Sequence, residues 1–209
     1  FFSMLVFGCP GSGKTHLLRS IIYSASLKNE FDHCLLFSAT KNSPDYDFLE
    51  DEFKYDAYDS GAIEKYINFC KTYNEKTITT RGLLIFDDIA GEQTFKSALF
   101  KSLLSNYRHY GINIIIVNQM IVEVPLSLRC IIKYGCVYKY VNESDRDKIY
   151  NCFGSLTDNK NEFIKLYEKY TAERYMFLFF SQSNAYDKEN AYCGARAPKK
   201  IPKFKLKFD

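Results

Sequence analysis

Residues 8–15 read Gly-Cys-Pro-Gly-Ser-Gly-Lys-Thr, which is the complete pattern of a phosphate-binding loop. Gly8, Gly11 and Gly13 let the backbone turn so that successive N–H groups point at phosphate oxygens. Lys14 places a positive charge on the outer phosphates, and the Thr15 hydroxyl is a ligand for the accompanying Mg²⁺. We therefore predict a nucleoside triphosphate site made by Gly8, Cys9, Pro10, Gly11, Ser12, Gly13, Lys14, Thr15 and His16.

The segments on either side of this loop have the patterns that such a loop requires. Residues 3–7 are a short apolar run typical of a buried strand, and Leu17, Leu18, Ile21 and Ile22 recur at helical spacing after the loop. A strand, a loop and a helix in that order are the context in which the pattern binds phosphate. A chance match in an unrelated loop would lack this context.

Two carboxylates follow another apolar run, residues 82–86. Because the carboxyl ends of parallel strands share one edge of a sheet, we expect Asp87 to reach the magnesium shell that Thr15 holds. Asp88 then faces the attacking water, as the second acid of a Walker B site. The alternative is that two acids merely end a strand in a solvent-exposed loop.

Residues 112–117 form the most apolar run of the chain and end in Asn118 and Gln119. At the same sheet edge, Gln119 can touch the terminal phosphate or its water. Polar residues often simply end strands, so the position of this pair relative to the loop and the acids gives it its weight.

The remaining elements must position these motifs. Apolar runs predict strands at residues 3–7, 33–38, 82–86, 112–117, 135–141 and 174–180. Helices are predicted after the loop to about residue 28–30 and at 60–73, 93–110, 143–153 and 157–170, with Ser60 and Thr157 as caps. This alternation predicts an α/β fold: a right-handed, three-layer P-loop NTPase sandwich around a mostly parallel sheet.

Length and composition fit one domain over residues 1–209. Hydrophobic residues make up 46% of the chain, yet no apolar run approaches the roughly 20 residues that span a bilayer, so we expect no membrane association. The odd count of seven cysteines without Cys-x-x-Cys spacing indicates reduced thiols in an intracellular setting. Since the chain opens almost inside its first strand without a methionine, we expect residues upstream.

The segment at residues 194–209 is strongly basic, although the net charge of the chain is only +3. Six basic residues and no acidic one lie between positions 196 and 207. Residues 203–208 alternate lysine with apolar residues, which predicts an extended strand with its lysines on one face. A solvated edge strand and a surface that contacts nucleic-acid phosphates remain equally open.

The loop alone is shared by kinases, switches, helicases and motors. A GTPase reads guanine with Asn-Lys-x-Asp after an apolar strand, whereas residues 118–121 read Asn-Gln-Met-Ile. A small-molecule kinase needs an arginine-bearing lid, and no arginine-rich segment follows the helices. ATP hydrolysis fits better.

Several motifs together resemble the poxvirus-type genome-packaging ATPases of the FtsK and HerA superfamily, over about residues 1–153. They are the loop, the runs Leu-Leu-Phe-Ser at 35–38 and Pro-Asp-Tyr-Asp at 44–47, the run Leu-Ile-Phe-Asp-Asp at 84–88, and Tyr-Arg-His at 107–109 leading into 114–119. The resemblance implies a RecA/FtsK-like fold, bound ATP and Mg²⁺, and double-stranded DNA as substrate.

The resemblance also implies roles for single residues. Lys14 and Thr15 bind phosphate and magnesium, Asp87 holds the metal, Asp88 is the candidate base, and Gln119 is the sensor. Many relatives in the wider superfamily use Glu at the position of Asp88, and the shorter Asp of this chain would act as base through a relayed water.

Motors of this kind look like rings, in which an arginine of one subunit completes the site of its neighbour. Arg108 is the first choice for that arginine and Arg129 the second, and the alternative for Arg108 is a cation favoured by the helix dipole.

The sequence therefore predicts an ATP-driven, sequence-independent DNA translocase that packages a viral genome. Its expected partners are further copies of the chain in a ring, with six as the expected number, and capsid vertex proteins. Its expected location is the viral assembly site in the host cytoplasm and the virion. A cellular nucleic-acid motor or loader, and an assembly switch that binds ATP without translocating, are the rivals.

Overall fold

A computed structural model describes residues 1–76, 81–89, 91–119, 131–140, 142–182 and 190–208. The described strands are β1 (Ser3–Phe7), β2 (His33–Ser38), β3 (Lys54–Tyr55), β4 (Gly82–Asp87), β5 (Ile112–Asn118), β6 (Tyr134–Tyr138), β7 (Met176–Ser181) and β8 (Tyr192–Arg196). The described helices are α1 (Lys14–Ser26), α2 (Ser60–Lys76), α3 (Glu92–Lys96), α4 (Ala98–Asn106), α5 (Glu143–Phe153) and α6 (Lys160–Tyr170). Short 3₁₀ turns lie at Pro44–Tyr46, Asp51–Phe53 and Gly154–Leu156.

The strands form one sheet in the order β3-β2-β4-β5-β1-β6-β7-β8. The pairs from β3 to β6 are parallel, whereas β7 and β8 add antiparallel to the edge of β6. The prediction of a mostly parallel α/β sheet is confirmed. Because consecutive side chains of a strand point to opposite faces, each buried strand contributes to two cores.

The two cores on the faces of this sheet are covered differently. On one face, Leu84 and Phe86 of β4 belong to a core that also contains the apolar sides of α2, α3, α4, α5 and α6. On the other face, Leu83 and Ile85 belong to a core that contains α1, residues 46–49 and Leu206. Among the described elements, α1 is therefore the α-helix that covers this second face of the sheet. Segments outside the α-helices cover the remainder of that face.

Several predicted boundaries are wrong for local reasons. The helix predicted at 93–110 is two helices, because Ser97 is extended (φ −63°, ψ 142°) and its side chain accepts a hydrogen bond from the Phe100 N–H. Ser97 therefore caps α4 instead of continuing α3. The strand predicted from residue 174 begins at Met176, since Tyr175 has a positive φ of 66°. The strands β3 and β8 were not predicted.

The two predicted caps are also wrong. Ser60 is the first helical residue of α2, and the Asp59 carboxylate accepts from the Ala62 N–H. Helix α6 begins at Lys160, where the Asn159 side chain accepts from the Glu162 N–H. In both places an Asx side chain just upstream caps the helix, which such residues do readily.

Residues 203–208 are not a strand of the sheet, so the prediction of a strand there is wrong. Their alternation is nevertheless as predicted, because the lysines are exposed and Leu206 is buried. The Leu206 N–H donates to the Phe48 carbonyl at 2.7 Å, and the Phe204 ring stacks on the Phe48 ring with centroids 5.3 Å apart. This segment closes the second core over residues 46–49.

Two further expectations can be compared with the described residues. Within the described part of the chain, no helix has the length and apolarity needed to cross a membrane. The cysteines among these residues, which exclude Cys130, are free thiols.

Leu206 supplies a test of the role of this segment. We expect Leu206→Ala to lower the free energy of unfolding by about 2–3 kcal/mol, because it removes a buried side chain from the second core. The matched variant Lys205→Ala changes an exposed neighbour and should stay within about 0.5 kcal/mol of the parent. Urea denaturation followed by circular dichroism measures both, and equal effects would show that the segment does not contribute to the core.

Candidate active site

The register of the central strands brings the predicted motifs to one edge of the sheet. Phe7, the last residue of β1, pairs with Asn118 of β5, and Asp87, the last residue of β4, pairs with Val117 of β5. The phosphate loop and Gln119 begin directly after two of these strand ends, and the two acids lie at the end of β4, with Asp87 as its last residue and Asp88 next to it. The predicted common edge is therefore confirmed.

The glycines of the loop have two different roles. Gly11 and Gly13 have positive φ angles of 72° and 103°, which a side chain would strain. Gly8 lies where other residues pack closely against the backbone, since a Cβ there would collide with Ser12 Oγ and lie 2.9 Å from Tyr138 Cβ. Ser12 Oγ is buried and makes no hydrogen bond with any described residue. A cradle of this shape with an unsatisfied hydroxyl fits a phosphate group.

The Lys14 ammonium lies within this loop. Its Nζ donates to the Gly8 carbonyl at 2.8 Å and to the Cys9 carbonyl at 3.2 Å. Burial lowers the pKa of Lys14, while the nearby charges of Asp88 and Asp87 act in the opposite direction. Both acids thus lie within electrostatic reach of the lysine, which is the juxtaposition that the motifs predict.

Asp87 is the buried acid of the site. Its carboxylate accepts hydrogen bonds from the Tyr46 hydroxyl and from Thr15. Burial raises the pKa of Asp87 to about 6, and the charge of Asp88 adds to this rise. The Tyr46 hydrogen bond, the Lys14 charge and the Thr15 hydrogen bond act to lower it.

The donor set at this point fits Mg²⁺. The Thr15 hydroxyl and the Asp87 carboxylate are hard oxygen ligands, and they lie in hydrogen-bond contact with each other. Magnesium is commonly bound by one or two protein ligands together with substrate phosphates. Among the described residues no group of three or more His, Cys, Asp or Glu side chains forms a cage for a metal.

Asp88 is held at the rim of the site in an exposed position. Its backbone has a positive φ of 54°, and its N–H donates to the Val117 carbonyl at 2.9 Å. Gln119 Nε2 donates to Asp88 Oδ2 at 2.7 Å, and the Gln119 carbonyl accepts from the Tyr140 hydroxyl at 2.6 Å. A left-handed backbone with these anchors directs an ionisable carboxylate toward solvent, where a water can be activated.

Three predicted residues lie apart from this group. His16 is exposed, and its Nε2 lies 2.6 Å from the Pro198 carbonyl oxygen. Arg108 is exposed before β5, close to Gly111, whose carbonyl accepts from the Gly82 N–H at the start of β4. It therefore lies at the opposite edge of the sheet from Lys14. Arg129 lies outside the described residues.

Two tyrosines of the site were given no role in the sequence analysis, although Tyr46 lies in the run 44–47 that contributes to the resemblance. Tyr46 reaches Asp87 from 41 positions away, and Tyr140 anchors Gln119 from 21 positions away. Hydrophobic periodicity within one segment does not indicate contacts between segments that are far apart in the sequence. The local signal is Ser43 before Pro44, because the Ser43 side chain accepts from the Asp45 N–H and starts the turn that carries Tyr46.

Comparison with known proteins gives a family and a fold. The sequence model of the family described as Poxvirus A32 protein matches residues 1–207. The DNA packaging protein OPG160 of Variola virus is 29% identical over 160 residues, which cover 71% of this chain and 56% of that protein. The uncharacterized protein 088R of Invertebrate iridescent virus 3 is 22% identical over 171 residues, which cover 81% of this chain and 66% of that protein. The chain thus spans less than two thirds of these relatives.

Among solved structures, the chain is similar to the genome packaging NTPase B204 from Sulfolobus turreted icosahedral virus 2 in complex with ATP-gammaS. The TM-score is 0.68 at 15% sequence identity, and the match covers 94% of this chain and 98% of that chain. This likeness confirms the predicted P-loop NTPase fold.

The hydrogen bond from Tyr46 supplies a test of the metal site. We expect Tyr46→Phe to weaken the apparent affinity for Mg²⁺ in the presence of ATP by about 10-fold or more, because Asp87 loses the donor that orients it. Tyr66→Phe is the matched control, since the Tyr66 hydroxyl accepts from the Leu83 N–H at the other end of β4. Calorimetric titration with Mg²⁺ measures both, and equal losses in the two variants would contradict an orienting role of Tyr46.

Proposed function

The chain belongs to the Poxvirus A32 protein family, and we propose that it is an ATPase that drives double-stranded viral DNA into a capsid. The observation that carries this proposal is the group at one sheet edge: Lys14 in the phosphate loop, Asp87 in contact with Thr15, and Asp88 held by Gln119. A simple binding loop does not need a second acid at the rim.

The group has the parts that phosphoryl transfer to water requires. As the water oxygen bonds to the terminal phosphorus, the bond from phosphorus to the ADP oxygen breaks and Asp88 accepts the proton of the water. Gln119 orients Asp88, and Lys14 neutralises charge on the phosphate oxygens. Thr15 and Asp87 would hold Mg²⁺, which would supply further neutralisation of the phosphates.

We infer that the chain works as a homo-oligomeric ring with six as the expected number of copies. Arg108 supports this proposal, because it is exposed at the edge of the sheet opposite Lys14, so any contact with a bound triphosphate would be with that of a neighbouring copy. Its Nε donates to the Tyr107 hydroxyl at 3.1 Å. Together with Lys133 it lines a polar cavity of about 350 Å³, whose positive charge suits the triphosphate of a neighbour.

Double-stranded DNA is the proposed substrate, and its support is that the Variola virus relative is a DNA packaging protein. The exposed lysines of residues 199–207 offer a surface for the DNA backbone. Contacts to phosphates carry no sequence information, which suits a motor that must grip every base pair. Capsid vertex proteins are the proposed docking partners, at the assembly site in the host cytoplasm and in the virion.

Mixing of two inactive variants tests the ring and the role of Arg108. We expect Lys14→Ala and Arg108→Ala each to lower DNA-stimulated ATP hydrolysis by about a thousandfold. Their equimolar mixture should regain activity, because in a head-to-tail ring about one quarter of the interfaces join an intact phosphate loop to an intact Arg108. Steady-state ATP turnover against protein concentration, with and without duplex DNA, measures this.

Arg81→Ala is the matched control, since Arg81 is an exposed cation next to the start of β4 at the same sheet edge, paired with Asp32. It should keep the activity of the parent. A mixture as inactive as its components would contradict the role of Arg108 in a neighbour's site. A parent protein that forms rings with DNA but hydrolyses no ATP would replace the motor by an assembly switch.

A further inference from the structure

A second cavity adjoins the phosphate loop. It has a volume of about 460 Å³, within the range of about 300–1,000 Å³ that is usual for small-molecule sites. Gly13 of the loop, the rings of Tyr138 and Tyr175, and the segment from Arg196 to Lys199 line it. None of the roles assigned above to Asp87, Asp88 or Gln119 uses this cavity.

The sheet order places this cavity on the flank of the loop away from the acids. The strand β4, which carries the acids, lies two places from β1 on one side, and β6, β7 and β8 follow β1 on the other side. Tyr138 pairs with Phe177, and Met176 pairs with Arg196, so the cavity walls stand at the same sheet edge as the loop. A triphosphate that had its terminal phosphate at Asp87 and ran along the loop away from the acids would carry its nucleoside toward this cavity.

Tyr175 is the side chain best placed to meet that nucleoside. Its ring lies beside the loop, since a Cβ on Gly13 would lie 3.3 Å from Tyr175 Cδ1. The residue keeps 46% of its surface exposed and has a positive φ of 66°, which directs it out of the line of β7. The Arg174 guanidinium lies 4.7 Å from the ring centroid, so one ring face is paired with a cation.

The opposite wall is built by the chain that leaves β8. Ala197 and Pro198 present small apolar surfaces to the cavity, and Lys199 adds a cation at its rim. The Pro198 carbonyl lies 2.6 Å from the Nε2 of His16, the second residue after Lys14. This contact fixes the wall to the first turn of α1, so the wall and the loop are positioned together.

We propose that this cavity binds the nucleobase of the nucleotide, with the base stacked on Tyr175 against the wall at Ala197 and Pro198. The inference rests on the proposed ATP binding, and it adds the subsite that holds the base. Stacking on an aromatic ring is available to any nucleobase, because every base has a π-face. The cavity therefore contributes affinity for the nucleoside, while the loop contributes affinity for the phosphates.

A pair of ligands separates the two contributions. ATP carries a base, and inorganic tripolyphosphate has the same phosphate chain without one. We expect Tyr175→Ala to raise the dissociation constant of ATP about tenfold and to leave that of tripolyphosphate within about twofold, both measured by calorimetry with Mg²⁺. Tyr175→Phe, which keeps the ring, should bind ATP as the parent does.

Two further variants complete the experiment. Tyr73→Ala is the matched control, because Tyr73 has a similar exposure of 47% but lies on α2. This substitution should change the dissociation constant of neither ligand. Ala197→Phe fills the cavity from its other wall and leaves Tyr175 unsubstituted. It should weaken the binding of ATP but not that of tripolyphosphate, so it tests the proposal even where Tyr175→Ala fails to fold.

The possible outcomes distinguish this inference from the function on which it rests. Unchanged ATP binding in Tyr175→Ala and Ala197→Phe, or equal losses for ATP and tripolyphosphate, would overturn the base site while leaving the phosphate site intact. A parent protein that binds neither ATP nor tripolyphosphate would overturn the proposed function itself. Selective loss of ATP binding in both variants would support the proposal.

Discussion

The buried carboxylate of Asp87 is the charge on which the rest of the site depends. Removing a carboxylate from water costs several kcal/mol unless donors and opposite charge compensate. Tyr46, Thr15 and Lys14 provide that compensation, yet burial still holds the pKa of Asp87 at about 6. The remaining cost favours a cation at this point, and a divalent ion held by Asp87 and Thr15 would offset it.

The parallel sheet is what makes this concentration of charge feasible. Because β1, β4 and β5 run in the same direction, three separate segments of the sequence deliver a lysine, two acids and an amide to one edge. The same geometry sends Arg108 to the other edge, where it is remote from its own chain's loop. The antiparallel β7 and β8 then extend the edge, and the chain after β8 returns across α1.

The sequence was informative where chemistry is local. The loop needs its residues in unbroken order, and an apolar strand that ends in two acids needs only a few neighbours, so both could be predicted with their common edge. The break between α3 and α4 at Ser97 could not be predicted, because a single extended residue leaves the apolar spacing of 93–110 almost unchanged. The roles of Tyr46 and Tyr140 could not be predicted either, since they come from contacts between segments far apart in the chain.

The most direct measurement of the central claim is the position of the metal in crystals grown with Mn²⁺ and a non-hydrolysable ATP analogue, located by anomalous diffraction. The expected Mn²⁺ lies about 2.1 Å from Thr15 Oγ and contacts the Asp87 carboxylate directly or through one water, with the phosphates on Lys14. A metal and triphosphate bound away from Thr15 and Asp87 would contradict the assignment of this edge of the sheet as the site of hydrolysis.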